Sequence, residues 1–140
     1  MSKHAATTRV PVAQTRSEID GLLRKWKCDA VRWTDLWNQG KTVLEFEWTP
    51  DGHESPISCR FDILAGDLAQ QDEAQEWRRI HRVLRVFLMG VFEAVDGGLI
   101  SLEEAMLPWI LRPNGQTVAQ SLLPQLRELP TGAAFKLLEA

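Results

Sequence analysis

The sequence predicts an α+β domain with an N-terminal helix, a three-stranded antiparallel β-meander, a long core helix and two short C-terminal helices. Apolar residues recur at helical spacing from about residue 15 to 26 and again over about residues 69–95. Between them, three short runs are separated by turn residues, as half-buried strands are. A length of 140 residues, 44% of them hydrophobic and 25% charged, fits one ordinary globular domain with a real core.

A capping box predicts where the first helix begins. Thr15 is the predicted N-cap, and the Glu18 side chain is expected to reach back to it. The helix then carries an apolar stripe, which consists of Ile19, Leu22, Leu23 and Trp26. The domain is therefore expected to cover residues 15–129, between a flexible N-terminal tail (1–14) and a C-terminal tail (130–140).

Three strands are predicted at Ala30–Trp37, Thr42–Trp48 and Ile57–Ile63, with turns at Asn38–Lys41 and Pro50–Gly52. The second and third strands alternate, so that one face of the sheet is apolar. Its members are Leu44, Phe46, Trp48, Ile57, Cys59, Phe61 and Ile63. A helix has to cover such a face.

Pairing of the second and third strands would also set Arg60 near Glu45 or Glu47 on the opposite, polar face. The long helix is expected to supply the cover for the apolar face. Its own apolar residues are Trp77, Ile80, Val83, Leu84, Phe87, Val91 and Ala94. Of these, Ile80, Leu84 and Phe87 are predicted to contact Leu44, Phe46, Cys59 and Phe61.

A basic stripe is predicted on the opposite face of the long helix. Arg78, Arg82 and Arg85 share that face, with Arg79 and His81 at its flanks. Guanidinium groups bind phosphate, so the stripe is a candidate nucleic-acid or partner-binding surface. The alternative is a solvated helix face whose charge is balanced by Asp72, Glu73 and Glu76 one turn earlier.

Three further cations, Arg24, Lys25 and Lys27, form a second candidate patch at the end of the first helix. A favourable interaction with the helix dipole is the simpler explanation for them. After the long helix, Asp96–Gly98 is a predicted stop, and Ser101 with Glu104 forms a second capping box. Thr117 is expected to cap the last helix, which Pro124 would kink or split.

No arrangement typical of catalysis or metal binding is present in the sequence. The histidines, His4, His53 and His81, have no metal-ligand spacing, and Cys28 and Cys59 form no CxxC motif. We therefore predict no enzyme activity, no cofactor and no metal. Without an apolar leader or a membrane-spanning run, the protein is expected in the cytoplasm with both thiols reduced.

Several segments resemble a family of small hypothetical proteins from phage, prophage and plasmid genomes. They are Val10–Val12, Thr15–Ile19, Glu76–Arg79, Ala94–Glu104 and Leu111–Val118. The resemblance runs over most of residues 10–126, with Met106 and Asn114 where relatives often have Phe and Asp. It implies an accessory protein of a mobile element in the bacterial cytoplasm, and it carries no activity or site residue.

Two hypotheses about function follow. The first is an accessory protein that binds nucleic acid through the arginine stripe and the second basic patch. The alternative is a protein-binding module that inhibits or redirects a host factor, such as a defence component. Helix, three strands, helix is also the order in double-stranded-RNA-binding domains, but the net charge of −3 argues against that analogy. Homo-oligomer formation is left open.

Overall fold

A computed structural model describes residues 8–65 and 72–128 of the chain. The fold is α+β, as predicted, with a sheet of three antiparallel strands in the order β1-β2-β3. The elements are α1 (Val12–Lys25), β1 (Ala30–Leu36), β2 (Lys41–Trp48), β3 (Ile57–Leu64), α2 (Glu73–Asp96), α3 (Leu102–Met106) and α4 (Val118–Glu128). The predicted C-terminal tail, residues 1–7 of the predicted N-terminal tail and positions 69–71 of the predicted long helix lie outside the described residues.

The predicted start of the first helix is wrong. α1 begins at Val12, three residues before the expected cap, with Pro11 at the N-cap position. Proline suits that position because its fixed φ, here −58°, leads the chain into the helix and it has no N–H to leave unpaired. Thr15 lies inside α1, fully buried, and its N–H donates to the Pro11 carbonyl. Glu18 therefore does not cap α1, and its side chain contacts α2.

The sheet has the predicted strands and faces. Glu45 pairs with Arg60 and Phe46 with Cys59 across β2 and β3, so the apolar alternation of both strands coincides on one face. β1 ends at Leu36, one residue earlier than predicted, because Trp37 begins a single 3-10 turn that closes the hairpin at Gly40. The Gly40 φ of 62° is a conformation that favours glycine.

Helices α1 and α2 both cover this apolar face and run parallel to each other. Their contacts keep the same order along both helices: Glu18 reaches Arg82, and the Trp26 ring stacks on Phe92 nearer the two C-terminal ends. The core between them and the sheet consists of Ile19, Leu23, Leu44, Phe46, Trp48, Cys59, Phe61, Ile63, Leu84, Leu88, Phe92 and Met106. The two N-terminal helix ends consequently lie at the same side of the domain.

Phe87 is less buried than the sequence predicts. Its ring contacts Phe61 edge-on at a centroid distance of 6.2 Å, as expected, but 38% of the residue is exposed. Beyond the predicted Leu84, the buried apolar residues of α2 are Leu88 and Phe92, each one position after the predicted Phe87 and Val91. The reason is that α1 packs beside α2, so the buried stripe faces both α1 and the sheet and Phe87 is left at its border.

The C-terminal elements follow the predicted caps. Ser101 Oγ accepts from the Glu104 N–H and the Glu104 carboxylate from the Ser101 N–H, which completes the capping box of α3. Thr117 Oγ1 accepts from the Gln120 N–H and caps α4, which runs through Pro124 without being split. None of the helices within the described ranges combines the length and hydropathy that a bilayer crossing requires.

Candidate functional site

The predicted arginine stripe lies against α1 instead of facing solvent, which corrects the expectation for Arg82 and Arg85. The Arg82 guanidinium binds the Glu18 carboxylate, and Arg85 Nε lies 3.0 Å from the same carboxylate, in an ion pair without hydrogen-bond geometry. Only 19% and 24% of these two side chains are exposed. The sequence predicts the correct face of α2 for these arginines, but that face contacts α1 and does not face solvent.

The other two arginines of the stripe also have acceptors on their own helix. Arg79 Nε donates to the Glu76 carboxylate at 2.6 Å, and Glu76 is itself buried, so this pair confirms one of the predicted intrahelical balances. Arg78 donates from Nε and Nη2 to the Gln75 side-chain oxygen. A phosphate would have to compete with these acceptors, which weakens the case for the stripe as a nucleic-acid surface.

Arg82 and Arg85 change the pKa of the Glu18 carboxyl. Burial raises the pKa of its carboxyl, but the Arg82 hydrogen bond and the charges of Arg85 and Arg82 outweigh burial and leave the pKa below its ordinary value. One carboxylate therefore stays ionised between two guanidinium groups. One of the two positive charges in this part of the stripe is therefore neutralised within the domain.

The second predicted patch is exposed. Arg24 and Lys25 end α1, and Lys27 follows, all three open to solvent and without an ion-pair partner among the described residues. Lys27 has a φ of 61°, the one positive φ at a non-glycine residue in the described ranges. Its N–H donates to Arg24 O, and Cys28 N–H donates to Leu23 O, so Lys27 occupies the position after a helix where glycine is favoured.

Replacing Lys27 with Gly is expected to raise the free energy of unfolding by about 1 kcal/mol, since glycine adopts this backbone conformation without steric strain. The measurement is urea unfolding followed by circular dichroism. Lys25→Gly is the matched control, and it should lower stability by about 1 kcal/mol because Lys25 lies within the helix. Destabilisation by Lys27→Gly would show that contacts of the lysine side chain outweigh the backbone strain.

A polar cluster that the sequence analysis missed ties α1, the β1–β2 hairpin and α2 together. Arg16 binds both carboxylate oxygens of Asp35, at 2.7 and 3.3 Å, and donates to Thr42 Oγ1. Thr42 Oγ1 in turn donates to Asp35 at 2.6 Å. Arg16 also stacks over the Trp33 ring, 4.9 Å from its centroid. The Arg16 and Thr42 hydrogen bonds lower the pKa of Asp35 to about 2.

His81 completes the cluster from α2. Its ring is fully buried, Nδ1 lies 2.8 Å from the Trp77 carbonyl, and Nε2 lies 3.2 Å from Arg16 Nε. Because guanidinium only donates, Nε2 must be the acceptor and Nδ1 carries the single proton. Burial lowers the pKa of His81, and the Arg16 charge lowers it further, against the opposing effects of the Trp77 hydrogen bond and Asp35.

The cluster predicts a loss of stability in mild acid. The pKa of His81 is lower in the folded than in the unfolded chain, so the unfolded chain binds the extra proton first and stability falls as pH drops below about 6.5. His81→Gln, which keeps one donor and one acceptor, should flatten this part of the pH profile. We would measure unfolding in urea from pH 7.5 to 5. An unchanged slope in the variant would contradict the role assigned to His81.

A cleft of about 370 Å³ opens beside this cluster, between the N-terminal ends of α1 and α2 and the hairpin. It is lined by Val12, Arg16, Asp35, Trp37, Gly40, Lys41, Thr42, Glu73, Trp77 and His81. Trp37 is 89% exposed, and Trp77 is half-buried. The sequence analysis missed this cleft because its residues come from five separate elements: α1, β1, the 3-10 turn, β2 and α2.

An apolar surface lies on the other side of α2. Phe87 contacts the ring of Trp109 at 5.1 Å, and both line an apolar groove of about 200 Å³ together with Phe61, Ile80 and Val83. Large side chains on the adjoining 3-10 turn and α4 are between 44% and 56% exposed, and these are Leu107, Leu122, Leu123 and Leu126. Such exposure is unusual for residues of this size on neighbouring elements.

The cysteines are free thiols, as predicted, and neither is a reactive one. Burial raises the pKa of Cys28 to about 11 and that of Cys59 to about 12, so both remain protonated near neutral pH. Over the described residues, no group of three or more His, Cys, Asp or Glu side chains could hold a metal ion.

Comparison of the chain with protein-family models, with curated proteins and with solved structures gave no match. The geometry of the domain is therefore the basis for the binding surfaces proposed below.

Proposed function

We propose that the protein is a non-enzymatic accessory protein of a phage or mobile element that acts by binding another protein in the bacterial cytoplasm. The resemblance of the sequence to phage and plasmid proteins supports the setting. The observation that supports protein binding is the exposure of five large apolar residues on elements that contact one another, namely Phe87, Leu107, Leu122, Leu123 and Leu126. We call these five residues the apolar surface.

The elements that carry the apolar surface contact one another. α2 packs on β3, and the 3-10 turn Leu107–Trp109 packs on both β3 and α4. The last seven residues of α4 are all exposed, including three leucines, although the helix is amphipathic. An amphipathic helix normally buries its apolar face against another element. A partner protein would supply the burial that the described residues do not.

The test is affinity capture from bacterial cells with wild-type protein and with the double variant Leu122→Glu, Leu126→Glu. The lysate is treated with nuclease and washed at high salt, and bound proteins are cross-linked and identified by mass spectrometry. Leu99→Glu is the matched control, because Leu99 is 83% exposed but lies in the turn after α2. We expect a partner that wild type and Leu99→Glu retain and the double variant loses. Equal recovery by all three would contradict the proposal.

Nucleic-acid binding is the second candidate, through the exposed patch of Arg24, Lys25 and Lys27 and not through the stripe. The observation in its favour is the strained backbone of Lys27. Strain of this kind persists at functional positions more often than elsewhere. A lysine where glycine would be less strained is consistent with a use for its side chain.

A mobility-shift assay at low salt with single- and double-stranded DNA and RNA tests this candidate. Reversing the three charges of the patch to Glu should remove binding, whereas Arg112→Glu, at another exposed cation, should not. Removing one phosphate-binding cation at a time should reduce the slope of log affinity against log salt by about one unit per cation. No shift by wild-type protein at micromolar concentration would eliminate the candidate.

A further inference from the structure

The cleft beside the Arg16 cluster has one charged group that is not neutralised. The Arg16 guanidinium is bound by Asp35, Thr42 and His81, and Asp35 is held by Arg16 and Thr42. The Lys41 ammonium lies 3.5 Å from the carboxylate of Asp62, a residue of β3. Among the residues that line the cleft, Glu73 alone has a charge without a partner in the described part of the chain.

Two tryptophans line the same cleft. Trp37 makes no ring contact within the described residues and is almost wholly exposed, although tryptophan is on average a highly buried residue. Trp77 forms part of the wall next to His81. Indole rings attract cations through their π faces, and they stack well with planar groups.

We propose that this cleft binds the guanidinium group of an arginine side chain from a partner protein, with Glu73 as its counter-ion and Trp37 and Trp77 as its aromatic walls. A guanidinium is planar, stacks on indole and forms paired hydrogen bonds with a carboxylate. A phosphate would be repelled by the unpaired charge of Glu73. A neutral aromatic ligand would stack on the tryptophans but would give Glu73 no counter-ion.

The proposal deepens the protein-binding function and rests on it, because it names the chemistry of one partner contact. It concerns a different surface from the apolar one: the cleft lies at the N-terminal ends of α1 and α2, whereas the apolar surface extends to α4. An arginine with its planar guanidinium next to tryptophan is a combination often found among the residues that dominate interface energy.

The experiment titrates the full protein with N-acetyl-arginine amide and follows the indole N–H signals of its six tryptophans by NMR. The matched ligand is N-acetyl-citrulline amide, which has the same shape without the charge. We expect the Trp37 and Trp77 signals to shift with the arginine derivative and not with citrulline. Equal shifts with citrulline, or shifts confined to other tryptophans, would overturn the proposal.

Two variants locate the site. Glu73→Gln should weaken binding about two- to fivefold, the usual range for an exposed ion pair, and Trp37→Ala should weaken it by about the same factor. Glu93→Gln, on the same helix but near its C-terminal end, should bind as wild type does. Because Glu73 and Trp37 are exposed, both variants should keep the wild-type circular dichroism spectrum.

Unchanged affinity in Glu73→Gln would overturn the proposal. This titration contains no partner protein, so its failure would remove the arginine site alone. Failure of the affinity capture with the Leu122 and Leu126 variants would instead remove the protein-binding function that the apolar surface supports.

Discussion

Replacing Phe92 with Ala is expected to lower the free energy of unfolding by about 3–5 kcal/mol, as removal of a buried aromatic side chain does. Phe92 is 3% exposed and stacks on Trp26 with a centroid distance of 4.8 Å. It lies where α1, α2 and the core meet, so its loss leaves a cavity that two helices would have to close together.

Phe87→Ala is the matched comparison, because it removes the same atoms from the same helix five residues earlier. We expect a smaller loss of about 1–2 kcal/mol, since a partly exposed side chain gives up less buried area and leaves a groove open to water. Urea unfolding of both variants shows which of them loses more unfolding free energy. A loss for Phe87→Ala equal to or larger than that for Phe92→Ala would contradict the packing described for α2.

The core and the sheet could be predicted because they follow from periodicity. Alternation in β2 and β3 fixes which residues share a face, but a shift of two residues keeps the faces, so the sequence left Arg60 opposite Glu45 or Glu47. The structure pairs Arg60 with Glu45. The caps of α3 and α4 are equally local, since Ser101 and Thr117 each bond within three residues. The same local rule was sufficient at these two caps but misplaced the start of α1, which begins at Val12.

The arginine stripe shows where this reasoning stops. Helical spacing identifies residues that share a face, but it does not reveal what packs against that face. Glu18 lies 64 positions from Arg82, and its place in an apparent capping box gave it a different role. Once Pro11 and Val12 begin the helix, Glu18 is in its second turn and free to contact α2.

The cleft was missed for a related reason. Arg16 and His81 are 65 positions apart, and each has an ordinary local explanation, as a polar helix residue and as the flank of a basic face. Only the parallel arrangement of α1 and α2 places their N-terminal ends, and the hairpin between them, around one cavity. The available sequence signal was weak: Trp37 beside the turn residues Asn38–Gly40 is an odd place for an apolar ring.

Reversing the charge of Arg82 and Arg85 together, to Glu, is expected to destabilise the fold by about 2–4 kcal/mol, through loss of charge-assisted hydrogen bonding and repulsion between carboxylates. The sequence alone predicts survival of the fold, because the stripe would face solvent. In the structure, the two new carboxylates would join Glu18 in a half-buried contact between α1 and α2. The substitution therefore separates the two interpretations of the stripe.

Adding Glu18→Arg to the double variant should restore part of the stability, since the exchanged charges are again opposite. The control is Arg24→Glu with Lys25→Glu, at two exposed cations at the end of α1. This reversal should lower the free energy of unfolding by less, because only the interaction with the helix dipole is removed. If the Arg82 and Arg85 reversal left the urea midpoint unchanged, these arginines would be dispensable for packing and again available to a nucleic acid. If the reversal lowers the urea midpoint and Glu18→Arg restores part of it, the stripe holds α1 against α2. Failure of stripe variants to bind nucleic acid would then reflect unfolding and not the removal of phosphate-binding groups.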